Sequence, residues 1–523
     1  MGRVTITNRA GGLIQSADAD AIRPGTNATV NNYGTIIGNT SGDSGNDGVG
    51  FGATGTGKVN NYSGGSITGA RHGITGDLPV AIYNEASITG QNGSGLNFDT
   101  ASTTTMSVEN HGTITGNAVS QDGDGIDVDG LITLNNYGTV KALGTVNGEI
   151  NEALAIGGGA VNNYAGGVLT SVQRAITVDD SNLGNAFGAT AIYNEGTIEG
   201  DDGEAIRITS TFANTVTNKG AIIGSVTLGA GADTLTLYTG SSISGAIDGR
   251  GGGDAIHLVG AGTGSLGDVA NFATLGVDSG TWTLNGTQNY SGGATVAGGA
   301  TASVSGTING AITNDGTVKV SGTSATFNGA FINNGAYKSD PSTQTFTDLT
   351  NSSVGYIHAA PGDLYKVSGD FLNHSTENAL WDTSGATLEF IGASSHTMAL
   401  AGADLGPAFF NFADNFSWSA LVLDPGDTLA LEDGAAPPGG AFYVDTLTGL
   451  DLSCGFVCNI FGNGFNIYYD PREAANAYLR GRNYDLEGEG RLIAGRVPEP
   501  LSAAIILPGL GVFYYRRRRK DSR

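Results

Sequence analysis

The sequence predicts an all-β protein: a right-handed parallel β-helix, a β-rich C-terminal region and a short C-terminal transmembrane helix. Three observations predict it. A motif recurs about every 26 residues over residues 1–225. Glycine fills 87 of 523 positions while only 14% of residues are charged, a composition of many short β-branched strands joined by tight turns. The final 27 residues run from an apolar stretch into an arginine cluster.

The repeats come first. The motif is an apolar residue, any residue, Asn, a short Gly-containing turn, then a second apolar strand. It reads VNNYGTIIG at 30–38, IYNEASITG at 82–90, VENHGTITG at 108–116 and IYNEGTIEG at 192–200. ITNR at 6–9 starts it with Asn8, and the aligned asparagines continue as Asn32, Asn61, Asn84, Asn110, Asn136, Asn163, Asn194 and Asn218. A looser motif places Gly or Ala before an apolar strand, as in DGVGF (47–51), RHGIT (71–75), DGDGIDV (122–128) and GEAIRI (203–208). Three short strands per period of this length indicate a solenoid whose strands pair one rung away, about 4.8 Å apart. Val30, Ile82, Val108 and Ile192 then face inward, and the asparagines form a ladder at the turn. Gly34, Gly112, Gly138 and Gly196 are expected to supply positive φ. Tyr33, Tyr62, Tyr137 and Tyr164 form a partial aromatic stack.

Residues 226–340 continue the helix in a blurred form. VTLGAGADTLTLYTGSSISGAIDGRGGGDAIHLVG followed by NFATLGVDSGTWTLNG resembles the β-helical passenger region of bacterial autotransporters. Residues 341–496 carry more aromatic and larger apolar residues, as in FLNHSTENALWDTSGATLEFIG, and read as wider strands, sandwich-like or β-helical. Cys454 and Cys458 are the two cysteines; they lie in a Gly-containing turn and are candidates for a small disulfide in an exported chain.

Residues 497–523 read VPEPLSAAIILPGLGVFYYRRRRKDSR. The apolar stretch 501–515 is slightly short for a span, and the arginines after it stay cytoplasmic by the positive-inside rule, so the body is translocated. Val497, Pro498, Glu499 and Pro500, the apolar helix, and Arg516, Arg517, Arg518 and Arg519 together resemble the PEP-CTERM sorting signal of exopolysaccharide-producing Gram-negative bacteria. That resemblance implies recognition, and cleavage near the Pro-Glu-Pro, by an exosortase-type processing enzyme. The tail then lies in the inner membrane before processing, and the mature chain reaches the cell surface or extracellular matrix. The start, MGRVTITNRAGG, has no secretory leader, so the expectation is a truncated reading frame or a fragment of a longer adhesin.

The net charge is -25, and six of the 24 basic residues lie in 516–523. So acidic a body excludes nucleic acid as a partner, because nothing neutralises phosphates. The densest acidic constellation is DGDGIDVDG, with Asp122, Asp124, Asp127 and Asp129. Aligned carboxylates suit Ca²⁺ or acid–base work, but no basic residue stands at matching spacing and RHG at 71–73 precedes them. The reading is solvated turn aspartates: no catalytic residue, no metal site and no cofactor are assigned, with Ca²⁺ the one ion these residues suit. GAGADTLTL and GRGGGDAIH partly match a Ca²⁺-binding nonapeptide, yet Asp233 and Asp254 are out of its phase and read as ordinary Gly-Asp turns. The expected function is an exported adhesin-like structural protein of biofilm or exopolysaccharide, contacting polysaccharide or other cell surfaces. The alternative is a carbohydrate-active β-helix enzyme, a polysaccharide lyase or hydrolase.

Overall fold

The computed structural model describes residues 4–39, 45–100, 103–146, 148 and 150–496. The described residues are all-β apart from two short 3-10 turns, Phe409–Phe412 and Ala474–Leu479. Their strands stack in parallel columns. The first runs on along the chain, while the pairing of the second ends at Ser242–Ile243 and that of the third at Val269–Ala270. New columns start from Thr263–Leu266 and within Thr281–Asn289. The first column opens with Thr5–Asn8 on Ala28–Asn32 on Gly57–Asn61. The second opens with Leu13–Gln15 on Thr35–Ile37 on Ser66–Gly69. The third joins Val49–Gly50, Ile74–Gly76 and Leu96–Phe98. Among the described residues, pairing is parallel except between Tyr484–Glu487 and Arg491–Ala494 and at two isolated bridges.

Each rung closes because its strands alternate. Val30, Val59, Ile82, Val108, Leu134, Val161, Ile192 and Val216 occupy one register position in the first column and are almost wholly buried. Ile36, Ile67, Ile88, Ile114, Val140, Leu169, Ile198 and Ile222 do the same in the second. Stacked branched side chains fill a narrow interior with little rotamer loss, which suits parallel sheets covered on the inner face. From about residue 324 the filling becomes aromatic. Phe327, Phe331, Tyr337, Phe346, Tyr365 and Trp418 pack at centroid distances of 5.0–6.3 Å. Parallel columns persist through this change, so the larger side chains of 341–496 thicken the solenoid; they do not build a separate sandwich.

The expectation for four glycines is overturned. Gly34, Gly112, Gly138 and Gly196 do not have positive φ. A Cβ on each would instead stand 2.0–2.3 Å from a backbone carbonyl oxygen of the preceding rung. Their role is close approach between turns, not left-handed backbone. Ala86 holds the same register position in one rung.

Candidate functional site

The turn between the first and second columns carries the asparagines. From Asn8 through Asn32, Asn61, Asn84, Asn110, Asn136, Asn163 and Asn194 to Asn218, each side-chain amide donates to the next Oδ1 at 2.7–2.9 Å. Each donor nitrogen also reaches a carbonyl at the start of the second column one rung on, at 3.0–3.3 Å. All are buried, so the ladder satisfies amides that would otherwise be orphaned in the corner. Asn218 ends this run on the Ser242 carbonyl at 3.0 Å. Leu237, Leu258, Val277 and Val296 then hold the register position before Asn314, Asn333, Asn351 and Asn373 resume it. The first two rungs of this second run are legible in the sequence as weaker repeats, ITNDGTVKVSG at 312–322 and FINNGAY at 331–337; its continuation to Asn351 and Asn373 is not.

Outside the ladder lies a continuous strip of rings: Tyr33, Tyr62, Tyr83, His111, Tyr137, Tyr164 and Tyr193. Three neighbouring pairs are stacked at 4.5–4.6 Å. The pairs involving Tyr83 or Tyr193 are tilted at 5.8–6.2 Å. The tilt has a plain cause. Tyr83 and Tyr193 precede their ladder Asn, whereas the other rings follow theirs. That switch of position is why sequence reasoning sees only part of the strip.

The acidic residues belong to the opposite turn, between the second and third columns. Asp20, Asp47, His72, Ser94, Asp124, Glu152, Arg174 and Glu204 each stand two residues before paired positions of the third column, one per rung. Here a side chain accepts the backbone N–H of the next rung: Asp20 from Asp47 at 2.9 Å, Asp47 from His72 at 3.0 Å, and Asp124 from Glu152 at 2.6 Å. The Nδ1 of His72 accepts from Ser94 at 2.9 Å. Burial pushes the His72 imidazole down to about 3 and the Asp47 carboxyl up to about 6.

Asp122, Asp124 and Asp127 come together, with one oxygen of each inside a 4.8 Å group. Burial, then Glu152, raises Asp124 well above the ordinary range; burial, then Asp129, does the same for Asp127. Burial lifts Glu152 to about 7. Asp129 turns away and accepts the Ser181 hydroxyl. At the register of Asp127 the following rungs carry Ala155, Thr177 and Arg207, so no carboxylate ladder continues.

The nearest basic residue of this corner pairs with the glutamates and not with the aspartates. Arg174 donates to Glu152 at 3.3 Å and to Thr177 at 3.0 Å and pairs with Glu204 at 2.6 Å, while Thr177 donates to Glu152 at 2.6 Å. Asp233 and Asp254 cap turns: Asp233 accepts from Asn214 and Gly229, Asp254 from Asp233.

Cys454 and Cys458 are joined, with Cα atoms 6.1 Å apart. Val497, Pro498, Glu499, Pro500 and Arg516–Arg519 lie outside the described residues. Among the described residues no helix is long and apolar enough to cross a membrane.

No protein-family model matches the chain, and no solved structure matches it. It is 30% identical over 171 residues to a protein of Rickettsia rickettsii named outer membrane protein A, a match covering 29% of this chain and 8% of that protein. A short segment of a much longer surface-named protein is what this chain is similar to.

Proposed function

We propose that the protein is an exported surface or extracellular-matrix structural protein of adhesin-like character, built as a right-handed β-helix and sorted by its C-terminal tail. The carrying observation is the stack of parallel strand columns between Thr5 and Ala494, joined over Asn8–Asn218 and again over Asn314–Asn351 by asparagine ladders. Such a quasi-one-dimensional body offers long repetitive outer faces. Right-handedness is the hand that parallel crossovers take. The similarity to a protein named for the outer membrane supports the surface location. The VPEP, apolar and arginine order at 497–519 supports sorting through an exosortase-type enzyme. Association with biofilm or exopolysaccharide follows from that reading.

The test is cell-surface accessibility of the full chain in a host that carries such an enzyme. The wild-type chain is expected at the surface with its tail removed. Pro498→Ala/Glu499→Gln/Pro500→Ala is expected to remain membrane-bound at full mass. Equal processing and exposure of both chains would overturn the sorting reading.

The carbohydrate-active alternative draws on the cluster of Asp122, Asp124 and Asp127 with Glu152 nearby; burial raises Asp124, Asp127 and Glu152, and Glu152 pairs with Arg174 at 3.3 Å. Cleavage of an acidic polysaccharide that disappears in Asp124→Ala/Asp127→Ala would replace the structural reading with this one.

A further inference from the structure

The turn that carries the Asn ladder is short in the early rungs and grows abruptly at 374–382 and 401–417. Paired positions lie 19 and 18 residues apart at Asn314–Asn333 and Asn333–Asn351. Thr383 instead pairs with Trp418, across a register shift. The added chain encloses an open cleft of about 380 Å³.

Its lining combines two kinds of surface. Leu380, Phe416 and the edge of Trp381 form an apolar wall; the Trp381 ring meets Phe416 edge-on at 5.2 Å. Asp382, Ser384 and Asp414 add exposed polar groups to the lining, with the Ser384 hydroxyl donating to Asp382 at 2.8 Å. The wall is held in place, since Trp381 donates to Thr383 at 2.8 Å and Thr383 to the Ser417 carbonyl at 2.5 Å.

The far loop is strained and clamped. Asp414 and Phe416 have φ of 50° and 54°, a conformation that a bulky aromatic residue rarely adopts. Between them Asn415 grips Ala403 twice, accepting its N–H at 2.9 Å and donating to its carbonyl at 3.0 Å. Strain of this kind persists where surrounding structure over-determines the backbone, and it concentrates at ligand sites.

We propose that this cleft binds a pyranose sugar that carries no negative charge. A pyranose has an apolar ring face and a rim of hydroxyl donors, which match the Leu380–Phe416 wall and the carboxylates of Asp382 and Asp414. The same carboxylates, on a chain of net charge -25, repel uronates. The inference deepens the surface reading above by giving that surface a ligand class.

The experiment titrates the full chain with a neutral glucose trisaccharide, a glucosamine trisaccharide and a galacturonic acid trisaccharide, read by tryptophan emission and calorimetry. Saturable binding of the neutral or the amino sugar is expected, and which of them binds identifies the source; the uronate is expected not to bind. Leu380→Arg fills the mouth from an exposed position and should abolish binding. Asp382→Asn/Asp414→Asn keeps the turn geometry and should weaken binding roughly tenfold or more by removing charge-assisted hydrogen bonds. Preference for the uronate, absence of binding by all three sugars, or undiminished binding in both variants would overturn the proposal. Cell-surface accessibility reads the sorting proposal separately, so failure of one leaves the other standing.

Discussion

Replacing Asn110 probes the ladder at one rung. Its amide donates to Asn136, and its oxygen accepts from Asn84 at 2.7 Å. Asn110→Ala leaves a buried donor and a buried acceptor short of partners, so thermal or chemical unfolding should show a loss of about 2–5 kcal/mol. Asn110→Asp should cost more at neutral pH, because a buried carboxylate cannot donate to Asn136, and acid should restore part of the loss. Arg174 is a second test. Arg174→Met strands Glu152 beside Asp124, an expected loss of about 3–5 kcal/mol that Glu152→Gln in the same chain should largely reverse. The pH profile follows from the same corner. Glu152 and Asp124 keep protons in the folded chain that the unfolded chain releases above about pH 4, so they make stability fall as pH rises from about 4 to 7. His72 acts oppositely: neutral when folded and protonated when unfolded below about pH 6.5, it makes stability fall as pH drops from there towards 3. Melting temperatures across pH should show Glu152→Gln flattening the first slope and His72→Gln the second. Of this chemistry the sequence displays the residue types but not their alignment. The buried corner column is hidden because Asp, His, Ser, Glu and Arg share one position, and only the small residue and apolar strand after them mark it.

A rung is the unit of structure, and this can be tested by excision. Asn84 and Asn110 are equivalent across 26 residues. Deleting 85–110 joins Asn84 to His111 and leaves all three columns in register. That chain should keep a cooperative melt and β-type circular dichroism close to the parent. Deleting only 85–97 shifts the pairing phase and should abolish the cooperative transition, since a misplaced strand turns its core face outward. Elements of this kind are the most legible part of the sequence, where Val, Ile and Asn recur at matched positions. Legibility fades after 226, where leucines and valines take the ladder's place, and again at 374–417. There the chain leaves the rung to build the cleft, and no periodicity reports which loop residues face each other.

The whole molecule is a line, not a globule. Each strand column is held by its neighbours above and below, and the internal filling passes from aliphatic to aromatic without a break in the columns. Its surface charge is strongly acidic, so added salt should relieve self-repulsion and raise the melting temperature. Strand pairing joins each rung only to its neighbours, and the asparagine ladders add to it over Asn8–Asn218 and Asn314–Asn351. Pulled from its ends in a force microscope, such a stack should therefore give way in steps rather than at once, each step releasing about 90 Å of chain for a rung of this size. On the surface placement proposed above, such a stack is a built-in shock absorber. Load is spent by peeling rungs, and the remaining stack stays as the template on which they wind back.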